Sequence, residues 1–228
     1  MKKVFLLLSI GFCILSCSRD YYQLKTFKSE TKDHETVAIL PVEMVFSGVP
    51  ILDVKPEDIA ALEAAESRAF QSSLFNELYR RKANTKKGPF IKILTVDETN
   101  DLILKTMSIQ ESWKKTPEEM AKVLGVDAVV KSRIEKRRYF SDIVSYGIDR
   151  LSKLLSILTK DIKPLIGGQD LKKSNDIFAE YKLIDGDSGV VLWSLSFEEA
   201  ANFNNPANEV ISLLNEKAAE RFPYKKKK

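Results

Sequence analysis

The order of apolar patterns along the 228 residues predicts an α/β fold: a mixed sheet of about five strands covered by helices, in the order βαβααβ, an insert, then ββα. The insert is itself an amphipathic helix. Three observations predict this. Two runs near 177–183 and 191–197 alternate apolar with polar residues and are joined by a glycine-bearing loop, the pattern of an antiparallel hairpin. Short apolar runs at 37–42, 91–96 and 126–139 are separated by segments with helical spacing. Strands joined by helices lie parallel through right-handed crossovers, so parallel and antiparallel pairs share one sheet.

The first strand is Val37-Ala38-Ile39-Leu40-Pro41-Val42. Pro41 has no N–H to give, so the strand ends early or lies at an edge. Over 56–82 the residues Ile59, Leu62, Phe70, Leu74 and Leu78 share one helical face, broken at Glu66. Pro56 suits a first helical turn, where its missing N–H is not needed. Gly88-Pro89 punctuates the chain, and 91–96 is the second strand. A short helix follows over 97–107, then a loop containing Trp113, which reads as a lid over the core or a partner contact. Thr116-Pro117-Glu118-Glu119 forms a capping box. Its helix turns Met120 and Leu124 inward and stops at Gly125, a left-handed cap. The third strand, 126–139, places Ala128, Val130, Ser132 and Ile134 on one face.

The hairpin alternates Ile177, Ala179, Tyr181 and Leu183 with Glu180 and Lys182. Its second arm alternates Val191, Trp193, Leu195 and Phe197 with Ser194, Ser196 and Glu198, which makes Trp193 a core residue. Asp185-Gly186-Asp187-Ser188-Gly189 is a tight hairpin loop rather than a cation loop, since it lacks the twelve-residue ligand pattern. The last helix starts at Asn205-Pro206, turns Val210, Leu214 and Ala218 inward, and stops at Pro223.

The opening residues decide the compartment. Met1-Lys2-Lys3, an apolar run over 4–15 and then Ser16-Cys17 are the three parts of a secretory signal. The apolar run is too short to span a bilayer, which takes about 20 residues. Ile14-Leu15-Ser16-Cys17 resembles the lipobox of bacterial lipoprotein precursors, in which the cysteine thiol accepts the lipid. The expected organisation is a signal peptide over 1–16 and a lipidated, polar tether over 17–36. A single α/β domain follows over 37–224 with a helical insert at 141–175, and a basic tail at 225–228. Beyond Cys17 at the cleavage point, the nineteen tether residues reach at most about 65 Å. The other cysteine, Cys13, lies within the removed segment, so no disulfide is available and the core alone must hold the exported domain together.

Catalytic chemistry finds little to build on. His34, the only histidine, sits in the tether, which leaves no His-based triad and no multi-histidine metal site. Cys17 is consumed by its lipid, and no phosphate-binding glycine loop is present. Carboxylates are plentiful, which keeps a two-carboxylate hydrolase open. No catalytic residue, metal or cofactor is assigned. Without Lys2 and Lys3 the chain has 34 basic and 32 acidic side chains. The lysines at 225–228 read as a solvated tail, with contact to anionic headgroups as the other reading. Lys136, Arg137 and Arg138 read as a solvated strand end rather than a nucleic-acid patch.

Within the insert, Val144, Ile148, Leu151, Leu155, Leu158, Ile162 and Leu165 recur at alternating steps of four and three, a heptad seam. Pro164 and Gly167-Gly168 end the helix. Packing on the sheet would account for the seam alone. Ile143, Tyr146, Leu154 and Ile157 lie off it and are the expected partner or oligomer surface.

Four segments together carry a family resemblance: the opening strand 37–42, Leu124-Gly125-Val126-Asp127-Ala128-Val129-Val130, the hairpin from Lys182 to Ser194, and Ala218-Ala219-Glu220-Arg221-Phe222-Pro223-Tyr224. They resemble the superfamily of curli-secretion lipoproteins and penicillin-binding-protein-activator lipoproteins. The resemblance implies a non-enzymatic envelope lipoprotein that binds or assembles with protein partners, in a secretion or transport accessory role. Regulation of a cell-wall synthase, or a carboxylate-dependent envelope hydrolase, are the alternatives. No stretch alternates long enough for the pore hairpins of the curli type, and the tether is short beside that of the synthase activators. Ser18, where enterobacterial sorting would place an aspartate for inner-membrane retention, points to an outer-membrane, periplasm-facing location anchored by the lipid on Cys17. The expected partners are the membrane and a protein or second copy, with no nucleic acid.

Overall fold

The computed structural model describes residues 20–47, 56–84, 91–136, 177–199 and 207–224. The expected signal segment, Cys17, the expected insert at 141–175, Asn205-Pro206 and the lysines at 225–228 lie outside the described residues. In chain order the elements are β1 (Asp20–Gln23), α1 (Phe27–Glu30), β2 (Thr36–Ile39), β3 (Glu43–Phe46), α2 (Pro56–Asn84), β4 (Lys92–Ile93), α3 (Val96–Leu104), α4 (Ile109–Trp113), α5 (Pro117–Leu124), β5 (Ala128–Lys136), β6 (Ile177–Asp185), β7 (Val191–Glu199) and α6 (Ala207–Arg221). They form a seven-stranded mixed sheet in the order β1-β7-β6-β5-β2-β4, with β3 also paired to β5. The mixed α/β architecture is the one the sequence predicts. β2 pairs in parallel with β4 and β5, and β5, β6, β7 and β1 run antiparallel in succession.

Two strands exceed the expected five, each for a physical reason. The first lies in the segment expected to be a tether. Asp20–Gln23 is an edge strand, with Tyr21 opposite Leu195 and Gln23 opposite Trp193. Its composition hid it, because an edge strand is held by backbone hydrogen bonds on one side and needs few apolar side chains. Phe27 in α1 is buried and packs edge-on against Tyr224, so this segment is part of the domain. The second arises at Pro41. β2 and β3 both run along β5, but the register slips by one residue between Ile39↔Val130 and Glu43↔Arg133. The proline cannot continue the ladder and the chain bulges around it.

The strand expected over 91–96 is only Lys92–Ile93. Thr95 leaves it to cap α3, accepting from the Glu98 N–H while Glu98 accepts from the Thr95 N–H. Ser108 and Glu111 repeat the device on α4, which occupies the expected Trp113 loop. The box predicted at Thr116 and Glu119 is present, and Gly125 closes α5 with φ of +64°.

The sheet has two unequal faces. One carries Val37, Ile39, Val130, Ile134, Ala179, Tyr181, Trp193, Leu195 and Phe197, packed under α2 and α6 as the main core. On the other, Ala38, Leu40, Val129 and Ile184 pack against Ile103, Met120, Ala121 and Leu124 of α3 and α5. Trp193 is buried, as its alternation requires, with Phe222 edge-on at 5.9 Å. A bulge between Leu183 and Ile184 brings Leu192 into the main core beside Trp193.

Lys136 corrects the sequence reading. Instead of a solvated strand end it is 1% exposed, and its ammonium pairs with Glu66, itself 0% exposed. Strands on both sides enclose this end of β5, because Phe46 of β3 and Ile177 of β6 both pair with Lys136. The break in the apolar stripe of α2 is thus the anion that neutralises it.

Candidate binding groove

A groove opens where the sheet runs out. β4 is two residues long, and its last contact with β2 is the Leu94 N–H donated to the Val37 carbonyl. The next carbonyl on that edge, Ile39, has no strand to meet. Gln71 of α2 takes it, donating from Nε2 at 2.7 Å. The same amide group exchanges hydrogen bonds with Asn100 of α3, Nε2 to Oδ1 at 3.1 Å and Asn100 Nδ2 to Gln71 Oε1 at 2.9 Å. This amide pair joins the helices of the two sheet faces across the short edge and satisfies a carbonyl that would otherwise be buried without a partner.

Above the pair lies a half-open cavity of about 350 Å³ between α2, α3 and α4. Its walls are small or apolar: Pro41, Ala61, Ala64, Ala65, Leu104 and Ile109. The alanines of α2 leave the space, since each offers only a methyl group to fill it. Leu104 on the rim is 58% exposed. Gln110 of α4 donates to the Ala60 carbonyl at 3.0 Å and fixes one wall to the other. Among the described lining residues Arg68 is the only ionisable one, and it pairs with Asp97 at 2.6 Å. The hydroxyl of Ser67, a fully buried lining residue, has no hydrogen-bond partner among the described residues. Such a surface excludes water from an apolar guest. Among the described residues no carboxylate, histidine or cysteine lines it.

A second polar constellation holds one end of the fold. The His34 ring lies between two partners, its Nε2 3.1 Å from Asp185 Oδ2 and its Nδ1 2.5 Å from the Tyr224 hydroxyl. Asp127 accepts from the N–H groups of Glu35 and Thr36 and from the Thr36 hydroxyl, at 2.9, 2.8 and 3.0 Å. Burial pushes the Asp127 carboxyl up, but these hydrogen bonds outweigh it and hold the group below its ordinary value. Asp185 follows the same pattern, with the Ser188 hydroxyl and N–H outweighing burial. Burial raises the Tyr224 phenol well above its usual range, which leaves it a poor nucleophile. Gly186 packs so closely here that a Cβ would lie 2.7 Å from that of Ala121 and 2.9 Å from the Asp127 carbonyl.

Three segments of the family resemblance converge at this point through Asp127, Asp185 and Tyr224. The histidine expected in a tether is a half-buried member of the same network. These segments therefore form a structural lock in this chain. The groove residues Gln71, Asn100, Ala61 and Ala64 were not singled out in the sequence. The signal for them was the interruption of helical stripes by uncharged amides and by runs of alanine. Trp113, read first as a lid, is half-buried and packs against the main core. The Lys131 ammonium ties its carbonyl and that of Lys115 to β5. Cys17 and the expected surface residues Ile143, Tyr146, Leu154 and Ile157 lie outside the described residues. Among the described residues no group of three His, Cys, Asp or Glu converges as metal ligands, and no helix is long and apolar enough to cross a membrane.

No family model and no curated protein matches the chain. Among solved structures it is similar to the PelC dodecamer from Paraburkholderia phytofirmans, at 12% identity and a TM-score of 0.40, over 88% of this chain and 92% of that one. It is also similar to lipoprotein GNA1162 from Neisseria meningitidis, at 12% identity and a TM-score of 0.43, over 82% and 96%. The LpoB C-terminal domain from Salmonella enterica gives 10% identity and a TM-score of 0.36, over 77% and 93%. What this chain does is therefore read from its own residues.

Proposed function

We propose that the chain is a lipid-anchored envelope protein without catalytic activity of its own, which recognises a protein partner through the groove between α2, α3 and α4. The groove is the observation that carries this reading. Its volume lies at the small end of the roughly 300–1,000 Å³ typical of ligand pockets. Its floor amides are occupied by each other and by Ile39. A small ligand needs several polar groups to orient it, and here the two amides are engaged with each other and Arg68 with Asp97, while the Ser67 hydroxyl is fully buried. An apolar side chain or two presented by a docked segment needs only the alanine walls and the exposed rim of Leu104.

The anchor comes from Ile14-Leu15-Ser16-Cys17, and Ser18 supports outer-membrane residence facing the periplasm. Because β1 begins at Asp20, only two residues separate Cys17 from the sheet, a span of at most about 11 Å. The domain is thereby held close to the bilayer, in a secretion or transport accessory role. A second surface is favoured by the heptad seam of the insert, whose off-seam residues Ile143, Tyr146, Leu154 and Ile157 serve self-association or a further partner.

Crosslinking in native membranes tests the groove. Ala64→Trp fills the cavity from one wall and is expected to abolish the crosslinked partner while the protein still folds and stays in the membrane. The same partner captured at the same yield by a folded Ala64→Trp variant overturns the groove reading. Cys17→Ala is expected to leave precursor or soluble protein, and membrane partition equal to wild type overturns the anchor.

A further inference from the structure

The groove between α2, α3 and α4 is closed to one mode of docking and open to another. An added strand needs main-chain groups to pair with, and here they are withheld. Gln71 already donates to the Ile39 carbonyl, and Pro41 in the lining has no N–H. A helix satisfies its own backbone hydrogen bonds and asks only for a surface that its side chains fit. The walls suit one. Ala61, Ala64 and Ala65 keep α2 thin on this side, so a helix laid against it reaches the axis separation of packed helices, about 8–10 Å. Ile109 and the exposed Leu104 are left to meet its apolar side chains.

Charge narrows the occupant further. The whole chain has a formal net charge of +4, but the segments that build the groove are acidic. Residues 57–68 of α2 and 96–113, spanning α3 and α4, carry eight carboxylates against two cations, Arg68 and Lys105. Glu63 and Glu66 lie beside Lys136 on the core side, which leaves six. Glu57 stands one turn before Ala61, on the same side of α2. On α3, Asp97 comes to the rim through its bond to Arg68, and Asp101 and Leu104 follow it at helical spacing. Arg68 is matched by Asp97, so the rim as a whole is negative.

We infer that the partner segment is a cationic amphipathic helix. Its apolar side chains, one turn apart, enter the groove, and lysines or arginines along its flanks lie over Glu57, Asp97 and Asp101. The inference rests on the groove reading above and deepens it by naming the partner's chemistry. An acidic helix meets the same walls but is repelled by the rim, and an extended peptide finds no ladder to join. Asp97 and Asp101 are exposed, so the attraction steers and selects more than it tightens, and it weakens as salt is raised.

A display library of amphipathic helices tests this on the full chain held in neutral phosphatidylcholine nanodiscs. Each helix has about 18 residues, long enough to form in isolation. Leucine occupies the apolar positions, and each flanking position is lysine or glutamate at random. Clones that bind the wild type and lose binding to Ala64→Trp are expected to carry lysine over glutamate by at least about threefold. Leu104→Ser changes a side chain that is already 58% exposed, so the fold is not at stake. It is expected to weaken the strongest clone about fivefold. Asp101→Lys is expected to weaken it about threefold at low salt, and less at high salt. Equal use of lysine and glutamate, an excess of glutamate, or no clone that depends on Ala64 and Leu104 overturns the cationic helix. The groove itself is decided separately, by the crosslink in native membranes. If Ala64→Trp abolishes that partner while the library shows no preference for lysine, the groove stands and the cationic helix falls.

Discussion

Two polar pairs interrupt the apolar faces of α2, five residues apart, and they are built from opposite chemistry. Glu66 meets Lys136 as an ion pair in the main core, with both side chains at or below 1% exposure. Gln71 meets Asn100 as a neutral amide pair at the sheet edge. The ion pair needs both members: burial pushes the Lys136 ammonium down, and Glu66, then Glu63, oppose that shift. The Glu63 carboxyl is pushed up, by burial first and by Glu66 second. The amide pair has a third party, the Ile39 carbonyl, which the short β4 leaves unpaired. One pair balances a charge the fold has enclosed. The other finishes a hydrogen-bond ladder and in doing so makes the floor of a groove.

The largest effect is expected from breaking the ion pair on one side. Lys136→Met removes the ammonium and leaves the Glu66 carboxylate buried without it, and is expected to cost about 3–5 kcal/mol in urea unfolding. Glu66→Leu with Lys136→Met is expected to recover most of that loss, because apolar residues of similar volume often match a buried pair. A single-variant loss below about 1 kcal/mol would mean that water reaches the pair and that its burial is shallow.

This pair also shows where the sequence was legible and where it was not. The α/β class, the parallel and antiparallel pairings, the Thr116 box, the Gly125 cap and buried Trp193 all follow from local patterns, and all are present. Each depends on neighbours a few residues away. The break at Glu66 was visible in the stripe and Lys136 at a strand end, but their meeting spans 70 residues and no local rule joins them. β1 was illegible for a different reason. Its partner, β7, lies far along the chain, and its polar composition looked like linker. The groove was least legible of all, since it is a space left by alanines and by a strand that stops after two residues.

The amide pair gives an intermediate effect. Gln71→Leu keeps nearly the same volume but leaves the Ile39 carbonyl and the Asn100 amide without their partner, and is expected to cost about 1–3 kcal/mol. Here the double change Gln71→Leu with Asn100→Leu is expected to recover only part of the loss, because the Ile39 carbonyl stays orphaned. That partial recovery, set against the near-complete recovery expected for the ion pair, separates a ladder-finishing pair from a charge-balancing one. Full recovery in the double variant would show that the Ile39 carbonyl has another partner.

The smallest effect is expected from a third kind of polar group, the carboxylates at the His34 end, which are charged yet within reach of water. Asp127 and Asp185 are both held below the ordinary carboxylate value of about 4 when folded. The unfolded chain therefore binds more protons than the folded one in the window between the two values. Their contribution to stability is present above the unfolded value and is lost as pH falls through the folded values. Melting temperature is expected to stay level from about pH 7 to 5 as far as these groups are concerned, and to fall below about pH 4. Asp127→Asn keeps an oxygen to accept from Glu35 and Thr36 but no longer titrates, so its acid slope is expected to be shallower than wild type. The capping-box residues Glu98, Glu111 and Glu119 are also held low, by the backbone N–H groups of Thr95, Ser108 and Thr116, and they act in the same direction. An Asp127→Asn variant whose slope matches wild type would assign the acid sensitivity to Asp185 and those helix caps.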